Sequence, residues 1–270
     1  MLSHITSVFS ADTIAMSEDL AKHIVDHLQS SRAAMTELLE RLVLRESPSS
    51  DAASLRQILH VLGEAFEQRG FRSSTWGGEH SGGMLLAVPD PRPRRRPYQL
   101  VLGHCDTVWP LGTIETMPAK SEEGVFWGPG SYDMKAGIVQ GLFAVEALGT
   151  IGVQALPVTP VFLINSDEET GSRESTRVIT RLARRADRCL VLEPSLGPEG
   201  SLKTARKGVG RFTITVRGKA AHAGLDPGQG ASAILELSLV VQKLFALNDA
   251  EHGVTVNVGT IDGGLSPNMI

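Results

Sequence analysis

The sequence predicts an α/β fold built on a largely parallel sheet, followed by a smaller α+β unit. Three observations predict it. Apolar strand-like runs alternate with helical stretches up to about residue 206, acids and one histidine sit where those runs give out, and from about 207 the pattern changes to strand, helix, strand. Alternation of this kind favours parallel strands with ligands gathered at their carboxyl ends. With 270 residues and 41% hydrophobic content, the chain can bury a core in one large or two smaller domains. The units are expected at 1–206 and 207–270.

Residues 17–45 read as a helix capped by Ser17. Leu20, Ile24 and Leu28, then Leu38, Leu39, Leu42 and Val43, form its broken apolar stripe. A second helix is expected at about 51–69, ending at Gly70. Strands are expected at 84–88 and 98–103, and the proline-rich basic stretch Pro89 to Pro97, with its cluster Arg92 to Arg96, reads as a turn between them. Gly128-Pro129-Gly130 then forms a tight turn ahead of a buried helix at 138–148. Strands follow at 161–165 and 190–192. The second unit reads as strand 209–217, helix 228–247 and strand 254–262, with an exposed sheet edge.

The residues that close the strands carry the chemistry. Strand period two puts His104 and Asp106 on one face, where a carboxylate can accept the second ring N–H of a metal-binding imidazole. Cys105 points the other way. Asp133 falls in the first turn of its helix, where it serves equally well as an N-cap or as a bridge between cations. Lys135 reads as solvated or paired with a nearby acid. Asp167, Glu168 and Glu169 arrive together at the mouth of a buried strand, where a cation would offset their repulsion. Neighbouring acids there can divide the work, one binding metal while the other moves protons. Leu190-Val191-Leu192 delivers Glu193, followed by Pro194.

Five strings occur in order: GHCDTVWP at 103–110, GPGSYDMKAG at 128–137, NSDEETGS at 165–172, LEPS at 192–195 and GKAAHAG at 218–224. With them the chain resembles the M20 family of metallopeptidases over about residues 35–270, and within it the glutamate carboxypeptidase branch. The resemblance implies the N-terminal portion of a zinc-peptidase catalytic domain at 1–206. At 207–270 it implies about half of an inserted ferredoxin-like lid and dimerisation domain. It assigns His104 and Glu193 to one zinc, Glu169 to the other and Asp133 as the bridge. Asp106 would orient His104, and Glu168 would be general base and acid. His222 would reach a neighbouring subunit's active site as an oxyanion donor, and Asn268 matches a residue implicated in substrate carboxylate binding. A histidine among carboxylates favours zinc over magnesium, with cobalt or manganese as substitutes.

The activity so implied is hydrolysis of an amide bond beside a free carboxylate, in a small peptide or N-acyl amino acid. The alternatives are acetylornithine or succinyl-diaminopimelate deacylation, or a non-catalytic dimerisation remnant. The family's second metal-binding histidine has no counterpart before Ile270, and His4, His23, His27, His60, His80 and His252 offer no obvious replacement. The metal on Glu169 is therefore expected to lack a ligand, as in a truncated product. A net charge of −4 gives no reason to expect nucleic-acid binding. No run approaches membrane-spanning length, and residues 1–16 lack a signal-peptide pattern, so a cytoplasmic location is the expectation, with export as the alternative; the resemblance implies a homodimer formed through the lid. Cys105 and Cys189 read as buried free thiols.

Overall fold

A computed structural model of the chain describes residues 11–92, 96–150, 156–197 and 199–270, with 11–18 described by backbone alone. The chain divides into two compact units, Met1–Ser195 and Leu196–Ile270.

The first unit is organised by a five-stranded sheet. Its strands are β1 (Phe71–Trp76), β2 (Met84–Pro89), β3 (Tyr98–His104), β6 (Thr159–Asn165) and β7 (Arg188–Val191), in the order β1-β2-β6-β3-β7. β6, β3 and β7 pair in parallel, while β2 runs antiparallel to both β1 and β6, so four of the five strands share one direction. The expected largely parallel sheet is thus present. β6 reads TPVFLIN and every residue in it is buried, as an apolar run covered on both faces requires. A helical turn, α4 (Thr113–Thr116), and a small hairpin, β4 (Lys120–Glu122) with β5 (Val125–Trp127), lie outside this sheet.

Strand alternation sends side chains into two layers. Leu85, Ala87, Val101, Phe162 and Ile164 face one way, into a core shared with α2 (Arg32–Val43), α3 (Ala52–Glu67) and α5 (Ala136–Thr150). Phe162 packs there against Phe66 and Phe71, with ring centroids 4.9 and 5.6 Å away. Met84, Leu100 and Leu163 face the other way, against Val178, Ile179 and Leu182 of α6 (Thr176–Ala183). The sheet therefore lies between helical layers. α3 starts as its sequence suggests, with the Asp51 carboxylate accepting from Ser54 N at 2.8 Å.

Four expectations need correction. The stretch 17–45 is two helices, α1 (Ala11–Ser30) and α2, divided at Ser31. Ser30 Oγ donates to His27 O at 2.7 Å there, and serine hydroxyls bonding back to the preceding turn favour such breaks. Ser17 lies inside α1, six residues past its first residue, so the helix does not begin there. The strands flanking Pro89 to Pro97 are not neighbours, because β6 lies between them; within that stretch Pro93, Arg94 and Arg95 fall outside the described residues. Cys189 is exposed, because β7 is the edge strand and all four of its residues face solvent, whereas Cys105 is buried.

The fourth correction concerns the second unit. Its helix α7 (Ala233–Phe245) starts later than expected because Pro227–Gln229 forms a separate 3-10 turn, and Ser232 Oγ caps it by accepting from Leu235 N at 3.1 Å. Residues 209–217 and 254–262 form no strand. Backbone pairing in this unit is confined to isolated bridges such as Lys219 with Ala231 and His222 with Met269. A strand persists only where a neighbour satisfies its N–H and C=O groups, and these stretches find no ladder partner among the described residues of the unit. None of those residues is buried; Val209 is 98% exposed and Phe212 88%.

Candidate metal centre

Parallel strands bring the acids together. His104 ends β3 and pairs in register with Asn165, the last residue of β6. Leu102 pairs with Val191 of β7, so the same register carried two residues further sets His104 opposite Glu193. The Nε2 of His104 lies 3.6 Å from Glu193 Oε1 and 3.1 Å from Asp133 Oδ1. His104 is 1% exposed, whereas the Asp133 side chain is 53% exposed, so the group opens to solvent on the Asp133 side.

Asp133 reaches this position from a turn rather than from a helix. Its backbone is extended at φ −117°, ψ 100°, and the regular helix begins only at Ala136, which corrects its expected place in the first helical turn. The Asp133–Met134 peptide is cis. Two glycines let the turn approach the strand ends. Gly130 has φ +68°, and a Cβ there would overlap the Thr107 side chain; at Gly137 it would overlap the Leu192 carbonyl. His104 N donates to Met134 Sδ at 3.2 Å.

Lys135, next along, is neither solvated nor paired with an acid. It is 1% exposed, its Nζ donates to Arg45 O at 3.1 Å, and burial holds its amine down at about 8.

The three adjacent acids after β6 separate in function. Asp167 turns inward, accepting from Asn165 Nδ2 at 3.1 Å, Glu174 N at 2.8 Å and Ser175 N at 3.1 Å. It closes the 166–175 loop, and Glu168 and Glu169 are left facing the strand ends. Glu174 ties that loop to the 79–81 segment by accepting from Glu79 N at 3.0 Å and His80 N at 2.7 Å. Sequence pattern missed both roles. The Asn165/Asp167/Ser175 polar spacing is a retrospective signal for the first, and none exists for the second.

Asp106 is fully buried and joins the pieces. Its Oδ1 lies 3.4 Å from His104 Nδ1 and accepts from Glu168 N at 3.2 Å. Its Oδ2 accepts from Ser49 Oγ at 2.9 Å and Glu169 N at 3.1 Å. Burial alone would raise the Asp106 pKa, but His104 and these donors outweigh it and hold the carboxyl ionised and below its usual range. Burial alone would likewise lower the His104 pKa; Asp106, then Glu168 and Glu193, push it up to about 9. Glu169 is shifted upward by burial, with Asp133, Asp106 and Glu168 adding to the effect.

That excess of negative charge suits a dication. Two sets of ligand atoms, His104 with Asp133 and Glu169, and His104 with Glu168 and Glu193, each lie within 4.8 Å of one another. Imidazole plus carboxylate donors fit zinc, and Asp106 supplies the outer partner such a histidine needs. The four ligands expected from the sequence, His104, Asp133, Glu169 and Glu193, are thus gathered, with Glu168 beside them.

His222 lies in the second unit and is exposed. Its Nδ1 accepts from Gly224 N and Leu225 N, both at 3.1 Å, which leaves Nε2 as the N–H donor.

Residues 204–270 match the family model for the peptidase dimerisation domain of the M20 peptidases. Carboxypeptidase G2 of Pseudomonas sp. (strain RS-16) is 29% identical over 240 residues, an alignment covering 88% of this chain and 57% of that protein. Succinyl-diaminopimelate desuccinylase 2 of Shewanella loihica is 30% identical over 240 residues, covering 83% and 61%. Among solved structures, a tripeptidase from Staphylococcus aureus superposes with a TM-score of 0.63 at 19% identity, covering 87% of this chain and 62% of that one. The domain match and these relatives support membership of the M20 metallopeptidase family. The relatives are hydrolytic enzymes, and the chain spans about six-tenths of the length of the curated relatives it matches (57% and 61%).

Proposed function

We propose that the protein is a metal-dependent hydrolase of an amide bond adjacent to a free carboxylate. The observation that carries this reading is the sharing of one buried histidine, His104, by two carboxylate sets at the ends of parallel strands. His104 and Glu193 would hold one zinc, Glu169 a second, and Asp133 would bridge them. When bound, such a pair lowers the pKa of a water and polarises the scissile carbonyl.

The chain's own groups supply the remaining steps. Asp106 engages Nδ1 of His104 through its main-chain oxygen at 3.0 Å and its carboxylate at 3.4 Å, so that Nε2 faces Asp133 and Glu193. Glu168 is exposed beside this group, so its carboxylate can take a proton from the attacking water and deliver it to the leaving nitrogen. In a homodimer formed through the second unit, His222 would offer its Nε2–H to the carbonyl oxygen of a substrate in the partner subunit.

Likeness to carboxypeptidase G2 favours an N-acyl or peptidyl C-terminal glutamate as substrate. Likeness to a succinyl-diaminopimelate desuccinylase favours a succinylated amine as the second reading. Metal analysis after dialysis, followed by hydrolysis assays on an N-acyl-glutamate and on N-succinyl-diaminopimelate, tests both. Retained zinc that falls in His104→Ala and Glu169→Ala is the expected result. Zinc content indifferent to both substitutions would remove the basis of the proposal.

A further inference from the structure

We infer that Ser49 is a positioning residue for the metal centre, acting through the Asp106 carboxylate; the inference rests on the metal-site reading above. Asp106 is fully buried; its main-chain oxygen lies 3.0 Å from His104 Nδ1 and its carboxylate Oδ1 3.4 Å, and the orientation of the carboxylate sets the second of these contacts. Two of its partners, Glu168 N and Glu169 N, belong to the loop that carries the neighbouring acids. Apart from His104, the only side-chain donor it receives among the described residues is the Ser49 hydroxyl, at 2.9 Å on Oδ2. That bond opposes rotation of the carboxylate and keeps Oδ1 on the histidine side.

Ser49 is itself held by the strand it serves. The segment between α2 and α3 lies along the exit of β3: Thr107 N donates to Ser47 O at 2.9 Å, and Ser49 N donates to Thr107 O at 3.1 Å. Ser47 Oγ donates to Cys105 O at 2.7 Å. The Glu46 carboxylate accepts from Gly112 N at 2.8 Å and Ile114 N at 3.0 Å, fixing the loop that follows. A segment remote in sequence from every expected ligand thus holds the Cys105–Thr107 stretch and the loop that follows it. Of its three serines, Ser47, Ser49 and Ser50, only Ser49 donates to the Asp106 carboxylate among the described hydrogen bonds.

This difference between Ser47 and Ser49 supplies the control. Outer partners of metal-binding histidines typically change metal affinity by about 10–100-fold when removed. Zinc affinity of the 270-residue chain is measured by competition with a chromophoric chelator, and the cobalt-substituted form is followed by its visible spectrum. Ser49→Ala is expected to weaken zinc binding by about tenfold and to alter the cobalt spectrum, while Ser49→Thr, which keeps the hydroxyl, restores both. Ser47→Ala, which deletes a buried hydrogen bond to the backbone, is expected to lower the melting temperature and leave zinc affinity unchanged.

Wild-type zinc affinity in Ser49→Ala, or equal weakening in Ser47→Ala and Ser49→Ala, overturns the inference and leaves the metal site standing. Failure of the unaltered chain to bind zinc, with His104→Ala indistinguishable from it, overturns the metal site and this inference together.

Discussion

Helices α5 and α7 are both rich in aliphatic residues, yet they meet different fates. AGIVQGLFAVEALGT buries Ile138, Val139, Leu142, Phe143 and Ala147 against the sheet, whereas AILELSLVVQKLF buries none of its residues. Ile234 and Leu235 are each 63% exposed. The sheet gives the same lesson: β6 is buried along its whole length, and the apolar edge strand β7 is exposed along its whole length. Apolarity makes burial favourable, but a facing surface must be there to receive it.

Hydrogen exchange should separate the two units most widely. Amides of β3 and β6, paired on both sides, should be protected up to the global stability of the first unit, on the order of 10⁴-fold or more. Amides of 209–217 and 257–262, which join no ladder, should exchange near their intrinsic rates in the isolated chain. Equal protection in both would show that the second unit carries a closed sheet and would end the contrast.

Side-chain truncation should follow the same division on a smaller scale. Phe162→Ala removes a ring that is 1% exposed and packs on two other phenylalanines, so it should cost about 3–5 kcal/mol in urea unfolding. Phe212→Ala, at 88% exposure, should change stability by less than about 0.5 kcal/mol. A large loss at Phe212 would mean that this residue is covered in solution.

The smallest effect sharpens the account of the first unit. The Glu174 carboxyl is held below its ordinary value, chiefly by the Ser81 hydroxyl and then by the backbone amides of His80, Ser81 and Glu79. A depressed folded-state pKa contributes stability above the unfolded value near 4.5, and that contribution is lost as pH falls through the lower folded value. The wild-type advantage over Glu174→Gln should therefore be full at pH 6 and shrink progressively below pH 4.5. Thermal melts of both proteins across that range would measure it, and a pH-independent difference would rule out the ionic contribution.

Much of the metal centre was legible because its parts are local strings that end strands. His104, Asp133, Glu168, Glu169 and Glu193 could each be read at the close of an apolar run or in a glycine-marked turn, and a parallel sheet gathers such ends at one edge. The extended backbone of Asp133 was not legible, since a turn running into a helix has the same periodicity whether its acid is helical or not. Asp167 could not be told from Glu168 and Glu169 either. Its inward turn depends on Asn165 and on the Glu174 and Ser175 amides, which meet it only once the loop has closed.

What the sequence determined by itself was the layered α/β plan, the strand ends and the identity of the residues placed there, because hydrophobic period and residue chemistry are properties of short segments. Tertiary structure alone decided that β6 enters between β2 and β3, that Lys135 is buried on a carbonyl, and that Ser49 reaches Asp106 across 57 residues of chain. It also decided that α7 stays exposed where α5 is covered. Each of these depends on which surfaces and polar groups meet at a distance in sequence, and local periodicity carries no information about such meetings.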